Sequence, residues 1–95
     1  MILFEVNDIS GRQIRLTLER WKHIARKHPE IHINEIIIVL TTPLIITLSE
    51  YDESVHYYFR FNKKHGSYLL VLVKYLNGEG FVISSYYSHR AVGLK

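Results

Sequence analysis

The stretch Ser67-Tyr68-Leu69-Leu70-Val71-Leu72-Val73-Lys74-Tyr75-Leu76-Asn77-Gly78-Glu79-Gly80-Phe81-Val82-Ile83-Ser84-Ser85-Tyr86-Tyr87-Ser88 decides how this chain folds. Two apolar runs rich in β-branched and aromatic residues flank Asn77-Gly78, the sharpest hairpin signal in the sequence. Asn and Gly both accept the positive φ that a tight antiparallel connection requires. The stretch therefore predicts two antiparallel strands, Ser67 to Tyr75 and Gly80 to Ser88.

Reading outward, Leu44 to Ser49 and Val55 to Phe61 have strand character too. Turn residues separate them: Glu50-Tyr51-Asp52-Glu53, then Asn62-Lys63-Lys64-His65-Gly66. The C-terminal half thus reads as a four-stranded antiparallel meander. At the other end, Leu3 to Val6 and Gln13 to Leu16 flank the turn-rich Asn7-Asp8-Ile9-Ser10-Gly11, which predicts a hairpin.

Helical signals fill the middle. Thr17 is an N-cap residue, and Leu18, Trp21, Ala25 and His28 recur at helical spacing with Ile24 beside them. Pro29 ends that helix at His28. Asn34 is a second N-cap candidate, and Pro43 stops whatever follows it. The β-branched run from Ile36 to Val39 fits a strand as well as a helix.

The order hairpin, helix, helix, four strands predicts an α+β fold. Two helices then pack on one face of a four-stranded antiparallel sheet and leave the other face open. Alternation puts Val55, Tyr57, Phe59 and Phe61 on one side of their strand, and His56, Tyr58 and Arg60 on the other. The expectation is that Tyr57, Phe59 and Phe61 lie under Leu18, Trp21 and Ala25. Arg60, Lys74, Ser84 and Tyr86 would then gather on the open face.

Ninety-five residues make one domain, Met1 to Lys95, with chain enough for one modest core. There is no cysteine, so disulfide and thiolate chemistry are excluded and a reducing cytoplasm is the expected compartment. No signal peptide is evident at Met1-Ile2-Leu3-Phe4-Glu5, and the apolar runs Ile36 to Leu40 and Leu69 to Val73 are too short to span a bilayer. A net charge of +3 permits an RNA or acidic-protein partner without demanding one.

The five glycines are scattered at Gly11, Gly66, Gly78, Gly80 and Gly93, so no phosphate-cradling loop exists. His28 and His32 are four apart, but Pro29 breaks the helix that would align them on a metal. Neither a metal site nor a cofactor is expected.

Leu16-Thr17-Leu18-Glu19-Arg20-Trp21-Lys22-His23-Ile24, Lys27-His28-Pro29-Glu30 and Phe81-Val82-Ile83-Ser84-Ser85-Tyr86 together resemble the phage-type branch of the barnase–EndoU–colicin–RelE nuclease superfamily. The resemblance covers most of the chain through short motifs, and Ser85 departs from the small apolar residue usual at its position. It implies a barnase/RelE-like α+β fold, a helix over Asn34 to Thr42, and metal-independent RNA cleavage. By position, His23 and His28 match the helix histidines, and Ser84 and Tyr86 match the last-strand pair.

Such cleavage needs a base for the ribose 2′-hydroxyl, cations for the phosphorane and an acid for the leaving oxygen. His23, His28, Arg60, Lys74, Ser84 and Tyr86 are the catalytic candidates. His28 also reads as a packed helix-end histidine, and Glu30 as a loop charge. Arg26, Tyr58, Lys63, Lys64 and Arg90 are the RNA-binding candidates, with Tyr58 able to stack on a base. The expected partners are RNA and an antitoxin or immunity protein. The rival expectations are a non-catalytic RNA- or protein-binding module, and an interaction subunit that pairs through an exposed strand edge.

Overall fold

A computed structural model describes residues 1–90; Ala91 to Lys95 lie outside the described residues. The hairpin signal is realised as expected. Strand β5 (Ser67–Leu76) turns through Asn77 and Gly78, with φ of 53° and 82°, into β6 (Glu79–Ser88). Before them come β3 (Ile45–Leu48) and β4 (Val55–Asn62), and the N-terminal hairpin is β1 (Ile2–Asn7) and β2 (Gln13–Thr17).

The sheet corrects the expectation. It is a single six-stranded mixed sheet, order β1-β2-β6-β5-β4-β3, and not a four-stranded antiparallel sheet with a separate hairpin. β2 joins β6 in parallel through Ile14 opposite Gly80 and Arg15 opposite Phe81, and the remaining neighbours are antiparallel. Gly80 marks this junction. A Cβ there would come within 2.8 Å of Tyr75 Cε1 and 2.9 Å of Val73 Cγ1.

Helix α1 (Leu18–Lys27) starts as the sequence predicts, with Thr17 Oγ1 accepting the Arg20 N–H at 3.2 Å. Helix α2 (Ile33–Thr41) forms across the β-branched run and starts from His32 as N-cap, two residues earlier than Asn34 would give. Burial at Ile36, Val39 and Leu40 follows helical spacing, so packing overrides the local β preference. α1 packs along β2 and β6, and α2 along β1, β4 and β5.

The face assignment is also corrected. The core unites Ile24, Ile36, Val39 and Leu40 of the helices with Ile14, Leu16, Tyr58, Leu69, Val71, Val73 and Val82 of the sheet. Tyr58, not Tyr57, Phe59 or Phe61, therefore faces the helices. Trp21 is half-buried at the margin of this core, and Ile24 is the fully buried residue of α1. A bulge adds to the change: Leu72 faces Ser84 while Val73 faces Val82, leaving Ile83 as the extra residue. Strict alternation along β6 is broken there.

The β1–β2 turn reaches across to β4. Asp8, in the β1–β2 turn, accepts a 2.7 Å hydrogen bond from the Tyr58 hydroxyl, though three strands lie between β1 and β4. Tyr58 also shares a hydrogen bond with the Tyr75 hydroxyl. Burial alone would raise the Asp8 carboxyl. Hydrogen bonds from Ser10, Tyr58 and the backbone N–H groups of Arg12 and Ser10 outweigh it and hold the carboxyl below its ordinary value. At the end of the sheet that carries the β4–β5 turn, the molecule opens into a cleft.

Candidate functional site

Four pieces of chain meet at that end: the α1–α2 connection, the first turn of α2, the β4–β5 turn and the end of β6. They bring Glu30, His32, Glu35, Asn62, Lys64, His65 and Tyr87 around a depression of about 440 Å³. A more apolar cavity of about 270 Å³ adjoins it, and Glu35, Asn62 and Lys64 line both.

Glu35 is the hub. Its position at the third residue of α2 lets Oε1 accept the His32 backbone N–H at 2.9 Å, which stabilises the helix start. Its Oε2 accepts from Asn62 Nδ2 at 2.7 Å and from the Tyr87 hydroxyl at 3.0 Å. Asn62 also builds the neighbouring turn, because its Oδ1 accepts the N–H groups of Lys64 at 3.0 Å and His65 at 3.3 Å. One side chain thus shapes the basic turn and orients the carboxylate.

His65 lies flat on Tyr87, with ring centroids 3.6 Å apart and planes within 10°. Its Nδ1 is 2.7 Å from Ser67 Oγ. That contact leaves Nε2 for a substrate. With Nδ1 donating to Ser67, the neutral ring holds a lone pair at Nε2 and can act as a base, and the imidazolium, which donates from both nitrogens, can act as an acid there. Burial, followed by donation to Glu35, pushes the Tyr87 hydroxyl up to about 12, so it stays a donor at neutral pH.

The expected site residues divide. Lys63 and Lys64 stand exposed in the turn, and with Arg60 they line the smaller cavity. Arg60 Nη1 donates to the Thr42 carbonyl at 2.8 Å, just past α2. Register puts Arg60 beside Leu69 and Tyr87, on the helix-bearing face. Lys74, Ser84 and Tyr86 occupy the opposite face, so the expected gathering of all four does not form. Lys74 instead pairs with Asp52, and that hydrogen bond, aided by Ser54, draws the Asp52 carboxyl down to about 2.

His28 caps α1, half-buried, with Nδ1 4.0 Å from the Glu30 carboxylate and its ring centroid 6.2 Å from that of Tyr86. It borders the cleft at Glu30. His23 and Arg26 are exposed on α1 away from the lining residues, and Arg90 is exposed beyond β6. Tyr58 is fully buried and bonded to Asp8, which rules out stacking on a base. Sequence reasoning missed Glu35, Asn62, His65, His32 and Tyr87. One usable signal was Glu35 three residues after His32, a capping-box spacing.

Among the described residues, no group of three or more histidines or carboxylates is placed to hold a metal ion. None of their helices is long and apolar enough to cross a membrane. Comparison of the chain with protein-family models, with curated proteins and with solved structures gives no match.

Proposed function

We propose that this protein is a small metal-independent endoribonuclease that acts in the cytoplasm, as a toxin or a phage-derived effector held in check by an antitoxin or immunity protein. The observation that carries the reading is the convergence of His65, Glu35 and Tyr87 with Lys64, Lys63 and Arg60 around one cleft. Acid–base groups beside cations are what phosphodiester cleavage without metal requires. The motif resemblance in α1 and β6 favours ribonuclease chemistry in general, but its matched residues His23, His28, Ser84 and Tyr86 do not line this cleft.

In this scheme the 2′-oxygen of ribose bonds to phosphorus as its proton passes to a base. The bond from phosphorus to the 5′-oxygen breaks, and that oxygen takes a proton from an acid. The products are a 2′,3′-cyclic phosphate and a 5′-hydroxyl. His65 Nε2 serves one proton transfer. Glu35 is positioned for the other, and Asn62 and Tyr87 hold its carboxylate. Lys64, Lys63 and Arg60 bear on the phosphate charge.

A second reading has one specific observation in its favour. Glu35, Asn62 and Tyr87 satisfy one another's hydrogen bonds, as in a structural network that only shapes an RNA- or protein-binding surface. Incubating purified protein with single-stranded RNA in EDTA separates the two. The nuclease reading expects cyclic-phosphate ends, and the binding-module reading expects intact RNA.

A further inference from the structure

We propose that the cavity between α2 and the end of β4 is a slot for a single unpaired nucleobase of the RNA. The inference rests on the nuclease reading and adds the substrate class: single-stranded RNA with one base turned out beside the scissile phosphate.

Three observations carry it. The first is shape and size. At about 270 Å³ the cavity sits just below the range of roughly 300–1,000 Å³ typical of small-molecule sites. That suits a flat ring system and excludes a helical duplex. The second is chemistry. The cavity wall is apolar at Ile38, Val39 and Leu69, and Ile38, beside the buried stripe of α2, keeps 49% of its surface exposed. Arg60 also lines the cavity, its Nη1 donating to the Thr42 carbonyl, and keeps positive charge beside the slot for the attached phosphate. Asn62 and Glu35 make the wall polar at one end, their side chains bonded to each other. The third is placement. The cavity shares Glu35, Asn62 and Lys64 with the acid–base depression, and Lys63 and Lys64 supply positive charge at the join. A nucleotide is the ligand whose flat apolar ring, polar edge and attached anion match this sequence of surfaces.

Bases paired in an A-form helix cannot enter such a slot, because RNA is read base by base only where it is unstacked. The structure therefore selects loops and single strands over duplex.

The test combines a change in the protein with a change in the RNA. Binding and single-turnover cleavage are measured for a single-stranded oligoribonucleotide, for the same oligonucleotide made abasic at each position in turn, and for its duplex. The expected result is that one abasic position weakens binding about tenfold or more, the worth of one stacked base. Ile38→Ser should weaken binding of the intact strand to a similar degree and add nothing further to that abasic strand. The duplex should resist cleavage. If the single strand is cleaved but no abasic position matters and duplex is cut as fast, the slot is wrong while the nuclease reading stands. If the protein neither binds nor cleaves any of these RNAs, both fall. The abasic scan uses the parental protein, so it decides the matter even if Ile38→Ser folds poorly.

Discussion

The His65 imidazole and the Tyr87 ring are stacked 3.6 Å apart and nearly parallel, joining the β4–β5 turn to the end of β6. The same Tyr87 donates its hydroxyl to Glu35, so one aromatic residue contacts both the imidazole and the carboxylate of the cleft. Tyr87→Phe keeps the stack and removes the hydroxyl that donates to Glu35 and accepts from Asn62. It should cost about 1 kcal/mol of stability and slow RNA cleavage. Tyr87→Leu removes both and should slow it further. Chemical denaturation beside single-turnover cleavage checks this ordering, and equal rates for the two variants would separate the stack from function.

The face assignment makes a sharp distinction between two cations. Arg60 borders the cavity, whereas Lys74 lies on the opposite face, paired with Asp52. Arg60→Ala should slow cleavage, and Lys74→Ala should leave the rate at saturating RNA unchanged. Cleavage lost in Lys74→Ala and retained in Arg60→Ala would put the site on the other side of the sheet.

Asp8 should make folding pH-dependent. Its carboxyl is held below the ordinary value of 3.8 in the folded protein, so the unfolded chain binds its proton first. The resulting stabilisation is fully present above the ordinary value and fades as pH falls through the lower, folded one. Asp8→Asn should destabilise by about 2 kcal/mol at pH 7. It should also narrow the gap in stability between pH 7 and pH 3. Urea melts of both proteins at the two pH values test the sign.

Two core substitutions test the packing. Ile24 is 1% exposed between α1 and the sheet, so Ile24→Ala should cost about 3 kcal/mol. Gly80→Ala should cost about 1–3 kcal/mol, because its methyl group must displace Tyr75 and Val73 at the β2–β6 junction. A melt unchanged by Gly80→Ala would show that Tyr75 and Val73 do not close on Gly80 as described.

Local patterns carried much of this architecture. Asn77-Gly78 placed the long hairpin, and Thr17 and Pro29 bounded α1 within a residue. The parallel joining of β2 to β6 was not legible, because no local signal specifies a short pairing between strands more than sixty residues apart in sequence. Alternation separated Tyr57, Phe59 and Phe61 from Tyr58 and Arg60, but both sets contain aromatic residues, so it could not say which set faced the helices. Arg60, Lys63 and Lys64 were legible as cations out of place or in a turn. Glu35, Asn62, His65 and Tyr87 each have an ordinary local reading, and only the pairing of β4, β5 and β6 with α2 packed on them brings them together.

The claim that this cleft cleaves RNA is tested most directly by single-turnover kinetics in EDTA, with saturating protein and one end-labelled single-stranded RNA. The parental protein should leave 2′,3′-cyclic phosphate ends. Glu35→Gln and His65→Ala should each slow the step about a hundredfold or more while binding changes little. Intact RNA with the parental protein, or parental rates in both variants, would contradict the account.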